Sequence, residues 1–169
     1  MFASRLNYQL TPYVSWLPDP QAIASDAFTL GWTDHFLYAF PPFSVLPQFL
    51  QKLEMDQAQA ILAAPNWPTQ PWYAKLRRLL IRKPILLPRH TSNIHLPFTA
   101  EQRHPLGSQL RLMARLLSRN PSRVNKFHQH LKTQSSTSGG QQPKNNTGST
   151  LRSSKHLRIE GLWITFTLL

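Results

Sequence analysis

The sequence predicts an α/β fold in which a partial parallel sheet with packed helices is followed by a basic helix and a disordered linker. Three observations carry this. Short apolar runs of strand length alternate with stretches of helical spacing across residues 1–98. Proline, 15 of 169 residues, falls at the ends of those runs. Beyond them the chain turns basic and then loses its large apolar residues.

The elements follow in order. Tyr13-Val14-Ser15-Trp16 is a short strand stopped by Pro18-Asp19-Pro20. Ser25-Asp26-Ala27-Phe28 opens a short helix with Asp26 as its N-cap. Phe36 to Phe40 is an aromatic and aliphatic run suited to a buried strand, and Pro41-Pro42 ends it. Between Ser44 and Met55, Val45, Leu46, Phe49, Leu50 and Leu53 keep helical spacing, with Pro47 tolerated in the first turn. Ala60 to Ala64 is the next buried strand, closed by Pro65. Trp72, Leu76, Leu79 and Leu80 share a helix face, and Ile85-Leu86-Leu87 follows Lys83-Pro84 as a strand. Strand, helix, strand, helix, strand implies parallel pairing through right-handed crossovers, a partial Rossmann-like arrangement. Ligands of such sheets sit past the carboxyl ends of the strands. That places Phe40-Pro41-Pro42-Phe43 and Pro65-Asn66-Trp67 at the functional edge.

After Pro105 the pattern reads as a helix. Leu106, Leu110, Met113, Ala114 and Leu117 keep helical spacing, and Asn120-Pro121 ends it. Arg111, Arg115 and Arg119 then fall at i, i+4 and i+8 as one cationic stripe, which Arg123 and Lys126 continue. Guanidinium forks in such a row suit phosphate oxygens; the alternative is a solvated face of an amphipathic helix. Four segments result: an α/β module at 1–98, a basic helical segment at 99–132, a flexible linker at 133–158 and an apolar, β-prone tail at 159–169. The linker is assigned because residues 133–150 lack any large apolar side chain to offset their ordering entropy.

Composition excludes several classes of function. No cysteine is present, which removes disulfide frameworks, thiolate zinc sites and cysteine nucleophiles. No run of 18 apolar residues appears, and the first residues lack the apolar centre of a secretory signal. An intracellular protein with no membrane partner is expected, nucleus and cytoplasm not being distinguished. Charge is divided: residues 1–56 carry a net of −3 and residues 57–169 a net of +15. A basic excess confined to one part points to a polyanion partner, here nucleic acid bound non-specifically.

Other constellations are weaker. His128-Gln129-His130 offers two metal-ligating side chains but no Cys and few acids to complete a site, so no metal is expected. Ser4 and Ser44 have no Asp and His at a spacing that supports a triad. Trp67, Trp72 and Tyr73 beside Lys75, Arg77 and Arg78 form either a stacking surface for single strands or part of the core.

A family resemblance joins these features. The series Phe2-Ala3-Ser4, Asn7, Asp26-Ala27-Phe28, Trp32, Tyr38 to Ser44, Ile61 to Pro65 and Trp72-Tyr73 is similar to phage-type DNA adenine methyltransferases. More closely, residues 1–118 resemble the carboxyl-terminal part of the polymerase polyprotein of DIRS-type, tyrosine-recombinase retroelements. The shared wording is Phe2 to Asn7, Tyr13 to Trp16, Asp26 to Phe28, Tyr38 to Phe43 and Trp67 to Tyr73. In that family a reverse transcriptase and ribonuclease H precede a methyltransferase-like module and a recombinase. The resemblance implies a truncated fragment, with the reverse transcriptase and ribonuclease H carboxylates and the glycine-rich cofactor loop outside this sequence.

The same resemblance implies a degenerate catalytic tetrad at Phe40, Pro41, Pro42 and Phe43, with no catalytic residue assigned. Phe40 stands where the methyltransferases carry an Asn that accepts from the target amine. Losing one preorganised polar contact at a reacting centre costs about 10²–10³ in rate. Ala3, Ser4 and Asp26 are the cofactor-binding candidates, and S-adenosylmethionine is expected only if methyl transfer survives. The expected function is a retroelement polyprotein fragment without catalysis of its own. The alternatives are a non-specific nucleic-acid-binding protein using Arg111, Arg115, Arg119, Arg123 and Lys126, and a DNA adenine methyltransferase.

Overall fold

The computed structural model describes Ala3, Tyr8, residues 10–87, 95–96, 99–103, 110–137, 156–159 and 162–165. It is a mixed α/β structure built on a four-stranded sheet. Two very short strands, β1 (Val14–Ser15) and β2 (Ala24–Ser25), pair in parallel, and Ala3 bridges to Ser15 beside them. The Asp26 carboxylate accepts from Phe28 N–H at 2.9 Å and caps a 3-10 turn at Ala27–Thr29. Asp26 does so at φ 64° and ψ 103°, a conformation rare for a side chain other than glycine.

The main sheet begins with β3 (Phe36–Ala39), which leads through a 3-10 turn at Phe43–Val45 into α1 (Leu46–Met55). Pro47 sits in the first turn of α1, where a missing N–H costs no helical bond. Strand β4 (Gln59–Pro65) returns parallel to β3, with Leu37 opposite Ala60 and Ala39 opposite Leu62. This is the strand-helix-strand unit that the apolar spacing predicts. Next come α2 (Tyr73–Arg78) and the two-residue strand β5 (Ile85–Leu86).

The expectation of an all-parallel sheet fails at its third position. Strand β8 (Leu112–Ser118) lies between β4 and β5 and is antiparallel to both. It matches the whole of β4, from Gln59 opposite Ser118 to Pro65 opposite Leu112. β5 therefore points the same way as β3 and β4, but its neighbour is a strand the sequence reads as a helix. A central strand buried on both faces is apolar almost throughout, so its residues satisfy helical spacing as readily as strand spacing. The sheet also crosses the expected boundary at residue 98, because β8 supplies Leu112, Ala114, Leu116 and Leu117 to the core.

Alternation along β4 and β8 divides that core in two. Ala60, Leu62 and Ala64 join Leu117 beneath α1 and α2, with Leu46, Phe49, Leu50, Leu53, Trp72 and Leu76. Ile61 and Ala63 join Leu112, Ala114 and Leu116 on the other side, with Phe40, Leu87 and Leu110. Trp32 anchors the preceding loop: its indole Nε1 donates to Ala27 O at 2.8 Å and its ring lies 5.2 Å from Phe49. Its backbone N–H donates to the Asp56 carboxylate at 2.9 Å, and Lys52 pairs with the same carboxylate at 2.9 Å.

Helix α3 (Pro121–Thr137) begins where a helix was expected to end. Asn120 is its N-cap, its Oδ1 accepting from Ser122 and Arg123 N–H at 3.0 and 3.3 Å, and Pro121 fills the first helical position. The Asn-Pro pair is thus a start signal. α3 also runs into the expected linker as far as Thr137; residues 138–155 of that linker lie outside the described residues. Two further antiparallel pairs are β6 (His95–Leu96) with β7 (Thr99–Arg103), and β9 (His156–Ile159) with β10 (Leu162–Thr165). β10 lies in the tail expected to be β-prone, whereas β9 takes residues 156–158 from the expected linker, where the sequence offers the apolar Leu157 for pairing.

Candidate nucleic-acid interface

The expected stripe of arginines does not exist as a stripe, because its residues lie in and around β8 rather than along a helix. Arg111 is exposed just before the strand, and its carbonyl accepts from Asn66 N–H at 2.9 Å. Arg119 follows the strand, its Nε 3.6 Å from Glu54 of α1, which also pairs with Lys75 at 3.1 Å. Arg115 points into the core and is 1% exposed. Its Nη1 donates to Ala64 O at 2.8 Å, and its Nη2 lies 3.4 Å from Pro65 O and 3.3 Å from Asn66 Oδ1. Tyr73 donates its hydroxyl to the same Asn66 Oδ1 at 2.6 Å, and its ring centroid lies 5.9 Å from the guanidinium carbon. Burial pushes the Arg115 pKa down, opposed by Tyr73. Among these described partners there is no carboxylate: neutral carbonyl dipoles, an amide and a phenol hold the cation. Arg115 is part of the structure's interior, out of reach of a phosphate.

The edge beyond β3 and β4 is brought together as the strand order implies, but it is packed. Phe43 meets Trp67 edge-on at 5.1 Å and lies 6.4 Å from Phe40. Phe40 is buried among Ile61, Leu112 and their neighbours. Trp72 is likewise buried in the core beneath α2, and the half-buried Trp67 and Tyr73 pack against that core. Of the cofactor-binding candidates, Asp26 is occupied in capping its turn and Ala3 in backbone pairing with the β1 region. Ser4 lies outside the described residues.

Arg123 and Lys126, by contrast, share a groove. On α3, Arg123, Lys126, Phe127, His130 and Thr133 recur every three or four residues and so occupy one helical face. Across from them stand Leu116 of β8 and the Ile81-Arg82 segment after α2, bounding an open space of about 670 Å³. Two features hold the walls in place. Lys83 Nζ donates to Gln134 Oε1 at 3.0 Å, tying the segment after α2 to α3. Arg123 Nη1 donates to Gln59 Oε1 at 2.6 Å, tying the first turn of α3 to the start of β4.

The groove is cationic and partly apolar. Arg82, Arg123 and Lys126 line it beside His130, and among the described residues no acidic side chain does. Its apolar lining is Ile81, Leu116 and Phe127, with Gln129 and Thr133 adding polar groups. Next to it His128 is half-buried, and its Nε2 has no hydrogen-bond partner among the described residues. No three His, Cys, Asp or Glu side chains among the described residues gather closely enough to hold a metal ion. No described helix is long and apolar enough to cross a membrane.

Two groove residues, Arg82 and His130, were outside the interface expected from sequence. Arg82 sits 41 positions before Arg123, and the antiparallel bridge of Leu80 to Leu117, with Ile81 N–H donating to Leu116 O at 3.1 Å, brings their segments together. His130 carries a weaker local signal, since it repeats the 123, 126 spacing on the same face once the helix is known to start at Pro121. No protein-family model matches the chain, and no curated protein or solved structure is significantly similar to it.

Proposed function

We propose that this chain is a nucleic-acid-binding piece of a retroelement polyprotein, without catalysis of its own, and that it holds its partner in the groove between α3 and the segment after α2. The observation that carries this is the gathering of Arg82, Arg123 and Lys126 in one groove, where no acidic side chain stands among the described residues. A cleft lined by one sign of charge concentrates counter-ions of the other sign, and a nucleic-acid backbone is the polyanion that offers phosphates in a row. The net charge of +15 over residues 57–169 favours the same kind of partner. The resemblance of residues 1–118 to DIRS-type polyproteins supports the same partner, because the enzymes of those elements work on nucleic acid. Phe40 at the amine-accepting place of the methyltransferase tetrad weighs against methyl transfer.

Phosphate contacts give affinity without base preference. The test is a salt titration of fluorescence anisotropy on two unrelated duplexes, for the parent and for the double variant Arg123→Ala, Lys126→Ala. Log K falls linearly with log salt, by about 0.9 per phosphate contacted on duplex DNA. The double variant lowers the slope by about 2, one phosphate per lost cation, and equally on both duplexes. An unchanged slope removes the groove from the interface. Transfer of label from S-adenosylmethionine to adenine-containing DNA by the parent overturns the non-catalytic part.

A further inference from the structure

We infer that the groove takes single-stranded nucleic acid, seating one unpaired base on the exposed part of Phe127 while Arg123 and Lys126 hold the flanking phosphates. This rests on the nucleic-acid reading above and adds the form of the strand. A surface made only for duplex phosphates needs cations and nothing else. Here the cations stand around an apolar floor of Ile81, Leu116 and Phe127. Phe127 is half-buried: it packs against the core and also contributes to the lining. The open space of the groove, about 670 Å³, falls within the roughly 300–1,000 Å³ of pockets that accept small organic groups.

The two sides of the groove match the two chemistries of a nucleotide. An unpaired base presents a π face, which stacks on aromatic rings whatever its identity. Its edge carries donors and acceptors, and the Gln129 side-chain amide stands in the lining to meet them. A paired base has both faces covered by its neighbours in the stack and cannot reach the floor. A duplex therefore engages the cations and leaves Ile81 and Phe127 wet. A single strand satisfies both parts of the lining.

The experiment uses the full chain and three labelled probes of equal length at one ionic strength. They are a mixed-sequence single-stranded oligodeoxynucleotide, the same strand with abasic sites throughout, and the corresponding duplex. The base-bearing single strand is expected to bind at least ten-fold more tightly than the abasic strand. Phe127→Leu keeps an apolar side chain against the core but removes the ring. It is expected to reduce that preference by about 5- to 160-fold, the range of one base–aromatic stack. If Phe127→Leu fails to give a cooperative melt, the comparison of the three probes on the parent decides alone. Equal binding of abasic and base-bearing strands overturns this inference and leaves the phosphate reading standing. No binding of any probe overturns the nucleic-acid reading itself.

Discussion

Arg115 and Arg123 are eight residues apart, yet one is 1% exposed in the middle of the sheet and the other lines an open groove. Arg115 lies on β8, where every second side chain faces the helices, and its neighbours on that face are Met113 and Leu117. Its charge is held by carbonyls at the carboxyl end of β4. Arg123 lies in the first turn of α3, past a capping Asn, on a face that meets the segment after α2. One arginine spends its donors on holding β4, β8 and α2 together. The other has a single described tie, to Gln59, and faces solvent. A count of basic residues cannot separate these roles, because the difference lies in which secondary structure carries the side chain.

Removing Arg115 is the largest way to break this contrast. Arg115→Ala leaves a cavity and deprives Ala64 O, Pro65 O and Asn66 Oδ1 of a donor in the interior. Leaving a buried acceptor without its donor costs about 1–3 kcal/mol, and the cavity adds to that. The expected result is a drop of that size in the denaturant-derived stability, with an unchanged salt slope for any population that remains folded. A loss below about 1 kcal/mol would mean that Arg115 is not held as described. The double variant Arg123→Ala, Lys126→Ala gives the opposite outcome: a loss of at most about 1.5 kcal/mol, from the exposed hydrogen bond to Gln59, with the lowered salt slope.

Acid titration sharpens the comparison. The described partners of Arg115 contain no carboxylate, so its contribution persists as acid is added. The Asp56 clasp on Trp32 is a different kind of contact. The hydrogen bond from Lys52 lowers the Asp56 pKa, burial opposes it, and the Trp32 N–H and the Lys52 charge lower it further. A depressed aspartate stabilises the fold above its unfolded pKa of about 3.9, and that stability is lost as pH falls through the folded value. Thermal melts from pH 7 to pH 2 should therefore show the parent above Asp56→Asn at neutral pH and the two converging in acid. A constant gap down to pH 2 would mean that the charge of Asp56 contributes nothing.

The smallest effect is expected at Arg119. Its i+4 spacing from Arg115 predicts a shared stripe, but it reaches Glu54 at 3.6 Å with both side chains largely in solvent. Exposed pairs of this kind contribute about 0–1 kcal/mol. Arg119→Ala should leave the melting temperature nearly unchanged at physiological salt, and any loss should disappear at high salt. A large loss would place Arg119 with Arg115 instead of with the surface.

Much of the first 87 residues was legible in the sequence. The 3.6-residue spacing of Leu46, Phe49, Leu50 and Leu53 identifies α1, and the proline after each apolar run limits β3 and β4. The parallel pairing of β3 and β4 followed from the helix between them. Asp26 before Ala27 and Phe28 was readable as a cap. All of these depend on neighbours in sequence: propensity, capping and the period of one apolar face.

What the sequence did not contain was the fate of residues 106–126. Leu112 to Ser118 fits both a helix and a doubly buried strand, and a lone arginine within it looks like the start of a cationic face. Only β4 resolves the ambiguity, by offering β8 seven residues of backbone pairing and a carbonyl cradle for Arg115. Once β8 is a strand, Asn120-Pro121 opens a helix instead of closing one, and Arg123 and Lys126 come to face Arg82. Local physics therefore determined the elements that form alone or with the next element in the chain. Tertiary structure decided the central strand and the groove, because strand pairing between residues some fifty positions apart leaves no period in the sequence of either partner.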